Sequence, residues 1–268
     1  MSLRDLFALE SHGPDTFVGT GLEYPWGGLY GGHIVAQALR AAAMNVDDGL
    51  FPHSLRAYFI RRGDPAEPVR YEVDRIRNGR SFATRRVVAR QAIGAILNLE
   101  ASFQRDETAD DVETVRPPSI ATPDECPDGQ SWSSLFERRL PRPQLAGAVD
   151  RAGAGRFSGW MRVTEELGDD RLLNCCALAY LSDDLPTDSV RRVTDWAHDG
   201  EEGFGASLDH TVWFHRPMRA DRWHLHDFTC QSYVGNRGLA IGHVFGEGGT
   251  HVATVAQEVL LRPPRVAE

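Results

Sequence analysis

The chain has 268 residues, of which 41% are hydrophobic and 25% charged, a balance that fits a soluble globular protein and excludes a fibrous or low-complexity chain. Its formal net charge of -9 argues against a general nucleic-acid binder, because a phosphate backbone demands clustered positive charge. All 29 basic residues are arginine, so any phosphate on a ligand would meet guanidinium groups, which clasp it bidentately.

The N-terminus, Met1-Ser2-Leu3-Arg4-Asp5, lacks the pattern of a signal peptide. Residues 1 to about 30 are rich in glycine and aromatics and are expected to form a loop. After Gly27-Gly28-Leu29-Tyr30-Gly31-Gly32-His33, the residues Ile34, Val35, Ala38, Leu39, Ala42 and Ala43 recur at the spacing of one helix face. Only Gln37 and Arg40 interrupt this surface, so the expected helix, near 33–45, is wrapped on most sides.

Four strands follow. Leu55, Ala57 and Phe59 alternate with Ser54, Arg56 and Tyr58, and Val69, Tyr71 and Val73 alternate with Arg70, Glu72 and Asp74. Residues 81–90 form a third run, and Ile93 to Phe103 a fourth with Gly94 near its turn. Period-2 alternation with short turns implies an antiparallel sheet with one covered face, here wrapped around the helix. Residues 106–150 change character. Pro117, Pro118, Pro123, Pro127, Pro141 and Pro143, with the acidic stretch from Asp106 to Glu113, mark a linker. A second unit opens near Ser158. Leu172, Leu173, Cys176, Ala177, Tyr180 and Leu181 repeat the first helix stripe, giving a helix near 170–183, and strand-like runs cover about 207–216, 223–234, 237–246 and 251–262.

The two halves therefore repeat. Tyr58-Phe59-Ile60-Arg61-Arg62 aligns with Trp213-Phe214-His215-Arg216-Pro217, and the step from Phe59 to Gln104 is 45 residues against 43 from Phe214 to Gln257. Such a repeat reads as one structural unit used twice, 1–105 and 151–268 around the linker. Small-molecule sites favour interfaces of this kind.

Cys126, Cys175, Cys176 and Cys230 include no CxxC pair, so neither a disulfide framework nor structural zinc is expected, and a reducing, cytoplasmic setting follows. No apolar run reaches the length of a membrane span, and Arg265-Val266-Ala267-Glu268 carries no peroxisomal address. GxSxG, dinucleotide-binding GxGxxG and P-loop patterns are all absent. Among polar residues, Asp183 falls on the second helix stripe, where a carboxylate is costly unless it is paired or functional; equally, with Pro186 close by, the helix can end before Asp183 and leave it in the following loop, and spacing does not separate it from Asp184. Gln257 interrupts an apolar strand, and Ser207 begins the strand that leads into Asp209-His210. By themselves these two read more readily as ordinary strand residues. His224 and His226 share a strand face but lack a third ligand, so no metal is expected.

Several segments are similar to the acyl-CoA thioesterase II family. Tyr30-Gly31-Gly32-His33 resembles that family's Phe-Gly-Gly-Gln helix start, with His33 in place of the usual glutamine. His53-Ser54 to Arg61-Arg62-Gly63-Asp64 resembles its first-strand segment. Asn78-Gly79-Arg80-Ser81-Phe82-Ala83-Thr84-Arg85-Arg86-Val87 resembles its Asp-Gly-x-Ser-Phe-x-x-Arg-Arg-Val run. Leu178 to Asp183, Leu208 to Pro217 and Gln257-Glu258 match further segments, so the likeness spans nearly everything but the linker.

The resemblance implies an α+β double-hotdog fold, two helix-wrapped-by-antiparallel-sheet units in one chain. It also implies hydrolysis of fatty acyl-CoA by direct water attack, without a cofactor or covalent intermediate, and it places the catalytic Asp, Ser/Thr and Gln on Asp183, Ser207 and Gln257. On the substrate side, the Gly32-His33 backbone is the expected oxyanion donor, and Arg61, Arg62, Arg85 and Arg86 are the expected phosphate ligands. Association into a homo-oligomer is expected. The competing readings are a non-catalytic acyl-CoA-binding protein of the same fold and a hotdog hydratase, whose Asp and His motif is not found.

Overall fold

The structure is a computed structural model that describes residues 1–129, 131–141, 155–194, 196 and 203–264. The first half contains helix α1 (Leu3–Leu6), strands β1 (Glu10–Ser11) and β2 (Thr16–Gly19), helix α2 (Gly31–Ala43), and strands β3 (Leu50–Phe59), β4 (Val69–Asn78), β5 (Phe82–Gln91) and β6 (Gly94–Arg105). Then come β7 (Phe136–Arg139), β8 (Arg156–Val163), helices α3 (Arg171–Leu181) and α4 (Pro186–Arg191), and strands β9 (Phe204–Ser207), β10 (Asp209–Phe214), β11 (His224–Val234), β12 (Arg237–Gly246) and β13 (His251–Arg262).

Among the described residues, all pairings are antiparallel and join one continuous sheet. Its order is β1-β2-β4-β5-β6-β3-β10-β13-β12-β11-β8-β7, with β9 also on β13. The repeat is visible in that order: β4-β5-β6-β3 is mirrored by β10-β13-β12-β11, and the two copies meet where β3 pairs with β10, Leu55 opposite Val212. In each copy the strand after the helix lies beside the last strand of its meander. This is the double-hotdog architecture.

The helices form because their stripes have a sheet to cover. In α2 the run from Gly32 to Leu39 is buried throughout, and Ala41 and Ala42 with it. Its buried Gln37 is satisfied on three sides: Nε2 donates to the carbonyls of Leu6 at 2.6 Å and Thr20 at 3.1 Å, and Oε1 accepts from Tyr71 Oη at 2.6 Å. Helix α3 packs against α2, and α4 covers β11 to β13.

Four expectations change. Residues 1–30 are not simply a loop. A capping box between Ser2 and Asp5 starts α1, Glu165 of the second half accepts the Leu3 N–H at 2.7 Å, and β2 extends the sheet beside β4 with Phe17 buried. The segment 106–150 supplies the edge strand β7, and Cys126 joins Trp160, Trp223, Leu225 and Phe245 in a small apolar cluster of its own. The second helix ends at Leu181, before Asp183, because Pro186 opens α4 at its first turn. The run 207–216 is broken at Leu208 into β9 and β10.

Candidate active site

The break at Leu208 decides which way Ser207 points. Ser207 opposes Val259 on β13, whereas Thr211 opposes Ala256. Four steps on one strand thus face three on the other, which is a β-bulge. In an unbroken strand Ser207 would share a face with Asp209, Thr211 and Trp213. With the extra residue it joins the face of His210 and Val212, both buried, and lies beside Gln257.

Asp183 reaches the same point from the C-terminal end of α3 and is only 6% exposed. Its Oδ2 accepts the backbone N–H of Gly32 at 2.7 Å, at the N-terminus of α2, and its Oδ1 accepts the Ser207 hydroxyl at 3.1 Å. Gln257 Nε2 donates to Ser207 Oγ at 2.6 Å. The three polar residues of the sequence expectation are therefore one hydrogen-bonded cluster.

The glycine pair at the start of α2 makes this meeting possible. A Cβ on Gly31 would lie 2.6 Å from Asp183 Oδ2, and one on Gly32 would lie 2.4 Å from the Tyr180 carbonyl oxygen. Only residues without a side chain let α2 approach α3 this closely.

Burial pushes the Asp183 carboxyl up to about 7, and Asp184 nearby adds repulsion. The hydrogen bonds from Ser207, Gly32 and Gln257 oppose that rise by stabilising the carboxylate. The result is a carboxylate whose basicity suits proton removal near neutral pH. Asp184, its rival in the sequence, has a different environment. It accepts Trp132 Nε1–H at 2.6 Å and pairs with Arg138 at 3.0 Å.

Asp183 and Ser207 line one side of a cavity of about 890 Å³, and Gln257 is buried behind Ser207. Trp26, Tyr30, Trp132 and Phe59 form much of its apolar wall, and Arg61 and Arg62 border it. Trp132 stands edge-on to Tyr30 at 4.8 Å and to Trp26 at 5.0 Å. Arg61 donates to the Ala95 carbonyl at 2.8 Å, and Arg62 to that of Trp26.

Four expected substrate contacts are not at the cavity. The Gly32 N–H is taken by Asp183, and Gly31 rather than Gly32 lines the cavity. The His33 side chain is buried away from it, with Nδ1 3.0 Å from Tyr24 Oη. Arg85 is buried and donates to the Asn45 side chain and to the carbonyls of Asn45, Arg77 and Thr84. Arg86 sits on the exposed surface against Asp74, its Nε 2.9 Å from the carboxylate. Sequence spacing put these arginines on a strand but did not say which end of it faces the cavity. The aromatic wall and the Asp184–Arg138 pair were not foreseen, since they come from loops and from β7, inside the expected linker.

The sequence matches two family descriptions, "Acyl-CoA thioesterase N-terminal domain" over residues 22–104 and "Acyl-CoA thioesterase C-terminal domain" over residues 109–261. It is 33% identical to acyl-coenzyme A thioesterase 8 of Homo sapiens, across 97% of this chain and 89% of that protein. The structure resembles that of an acyl-CoA thioesterase II from Mycobacterium marinum, with a TM-score of 0.85 and 35% identity, each chain covered in full at 100%. A protein of hot dog fold from Alicyclobacillus acidocaldarius, 23% identical with a TM-score of 0.80 over 98% of both chains, shares the fold.

Proposed function

The chain belongs to the acyl-CoA thioesterase II family and is an acyl-CoA thioester hydrolase; on that premise we propose that Asp183, Ser207 and Gln257 direct one water at the thioester carbonyl. Asp183 takes a proton from the water as its oxygen bonds to the carbonyl carbon. Ser207 and Gln257 orient that water and hold the Asp183 carboxylate in place. The C–S bond then breaks, the CoA thiolate leaves and takes up a proton, and the free acid departs. Thiolate is a good enough leaving group that the step needs no strong acid. The oxyanion faces the N-terminus of α2, where Gly31 lines the cavity and the helix dipole favours negative charge. The observation that carries this reading is the hydrogen-bonded set of Asp183, Ser207 and Gln257 beside that cavity.

We assign the acyl chain to the apolar part of the cavity and the CoA phosphates to Arg61 and Arg62, which border it. The division into units 1–105 and 151–268, joined by 106–150, places all three catalytic residues in the second unit and the helix N-terminus that meets them in the first. We also propose a cytoplasmic location, supported by four free cysteines, and a homo-oligomer. No helix among the described residues is long and apolar enough to cross a membrane.

Release of free CoA, followed with a thiol reagent across acyl chain lengths, tests the activity. Hydrolysis that requires Asp183 is expected. Tight binding of acyl-CoA with no release at any chain length would favour the non-catalytic reading. Sedimentation that gives only a single-chain mass across micromolar concentrations would overturn the oligomer.

A further inference from the structure

His210 takes no part in the steps above, yet it is fully buried and lies beside Gln257, each one residue beyond the paired Thr211 and Ala256. Its Nδ1 lies 2.6 Å from Gln257 Oε1, and its Nε2 lies 2.9 Å from Ser182 Oγ. Ser182 adjoins Asp183 in the chain. The contacts Ser182–His210–Gln257–Ser207–Asp183 therefore run in a loop that leaves the end of α3 and returns to it.

The charge at one end gives that loop a direction. An ionised Asp183 only accepts, so the Ser207 hydroxyl hydrogen points to it. Ser207 Oγ has then spent its one hydrogen, and its other neighbour must be a donor, which is the Nε2 group of Gln257. That leaves Gln257 Oε1 toward His210. A carbonyl oxygen has no hydrogen to give, so Nδ1 of His210 must carry one; in a neutral ring Nε2 is then the acceptor, and the Ser182 hydroxyl serves it at 2.9 Å, with the Ala179 carbonyl farther off at 3.3 Å. The ring is neutral in this arrangement, which agrees with burial lowering its pKa to about 4.

We propose that His210 is a positioning residue for the hydrolysis: its Nδ1–H locks the Gln257 amide with Nε2, and not Oε1, facing Ser207 and the attacking water. Without that hydrogen the amide is free to turn over. Ser207 would then donate to Oε1, and Asp183 would lose a hydrogen bond at the moment it accepts a proton. This inference rests on the roles proposed for Asp183, Ser207 and Gln257.

Three substitutions and one spectrum test it. In His210→Asn the side-chain Nδ2 overlays the ring Nδ1 and keeps the donor to Gln257. His210→Gln puts its amide on the Nε2 side only, and His210→Phe removes both contacts. Loss of a hydrogen bond serving a charged group should lower kcat about 10- to 100-fold in His210→Phe and His210→Gln, with KM changed less than about twofold. His210→Asn should keep kcat within about threefold of the wild type. Nitrogen-15 NMR of histidine-labelled wild-type protein should find His210 protonated on Nδ1. An Nε2-protonated ring, a folded His210→Phe with wild-type kcat, or an equal fall in kcat for the Asn and Phe variants would each overturn the proposal. The spectrum does not depend on turnover. Full activity in Asp183→Asn would therefore overturn the choice of base while the Nδ1-protonated ring stood.

Discussion

The backbone N–H of Gly32 donates to Asp183 Oδ2 at 2.7 Å, joining residues 151 positions apart in sequence. Gly32 opens the helix of the first unit, and Asp183 follows the helix of the second. The bond places the carboxylate at the positive end of α2, and it lets neither half hold the proposed base alone.

Replacing Asp183 by Asn should remove most turnover, by about 10²–10⁴-fold, because the amide keeps the shape of the carboxylate but takes no proton. The same change should alter how stability depends on pH. The folded pKa of Asp183, about 7, lies above its ordinary value of 3.8, so the wild type loses stability as pH rises from the lower value through the higher. Asp183→Asn lacks that loss. At about pH 8 it should exceed the wild type by at most about 4 kcal/mol, at roughly 1.4 kcal/mol per pKa unit, with the difference gone below about pH 4. Denaturant titrations at the two pH values check this, and an inactive variant with no pH-dependent gain would count against a buried, ionisable base.

The rate should rise with pH through about 7, as Asp183 ionises. Ser207 lowers that pKa by its hydrogen bond, so Ser207→Ala should move the rising limb to higher pH. At the plateau Ser207→Ala and Gln257→Ala should each cost about 10- to 100-fold in kcat, less than Asp183→Asn. A pH–rate profile unmoved by Ser207→Ala would argue that this hydroxyl does not touch the base.

The four arginines expected at the substrate should divide into three behaviours. Arg61→Ala and Arg62→Ala should raise KM for acyl-CoA by about 5- to 30-fold with kcat kept, as the loss of a charge-assisted contact. Arg86→Ala should change stability by less than about 0.5 kcal/mol and leave kinetics alone, since its pair with Asp74 is exposed. Arg85→Ala should cost about 2–4 kcal/mol, because it leaves buried carbonyls without donors. Steady-state kinetics with acyl-CoA and with an acyl-pantetheine, which lacks the nucleotide phosphates, separates the phosphate ligands from the rest.

Gly32→Ala should be disproportionately harmful for one methyl group. The new Cβ would meet the Tyr180 carbonyl oxygen at 2.4 Å and the Tyr30 ring at 2.6 Å, so α2 and α3 must part. We expect a loss of about 1–3 kcal/mol together with a fall in kcat, since the same movement lengthens the bond to Asp183. A thermal melt paired with kinetics checks both, and retention of wild-type kcat would show that the helix contact does not position the base.

Asp184→Asn supplies the contrast with Asp183→Asn. It breaks a mostly buried ion pair with Arg138 while it keeps an acceptor for Trp132, so stability should fall by about 2–4 kcal/mol. Turnover should persist in the folded fraction. Measured kcat per folded enzyme near that of the wild type is the expected result, and an abolished kcat would reassign the base to Asp184.

Much of this was legible in the sequence because burial imposes period. The stripes Ile34 to Ala43 and Leu172 to Leu181, and the alternation in strands such as Val69 to Val73, fix helix against sheet wherever one face must be dry. The repeat from Phe59 to Gln104 and from Phe214 to Gln257 pointed to one unit used twice, and the sheet carries two such meanders in mirrored order. Resemblance then singled out Asp183, Ser207 and Gln257, which spacing alone left among ordinary residues.

What period does not carry is anything set by a break in period or by a partner far along the chain. The bulge at Leu208 turns Ser207 to the inner face, against the alternation of its own strand. Asp183 lies beyond its helix and is directed inward by Gly32 and Ser207, not by the stripe. Arg85 and Arg86 are adjacent in sequence, yet one is buried among carbonyls and the other is on the surface. His210 gained its place beside Gln257 only when β10 and β13 took their register. A sequence determines which face of each element is apolar through local free energy. Which polar groups then meet depends on how the faces dock, and that is decided by the whole fold at once.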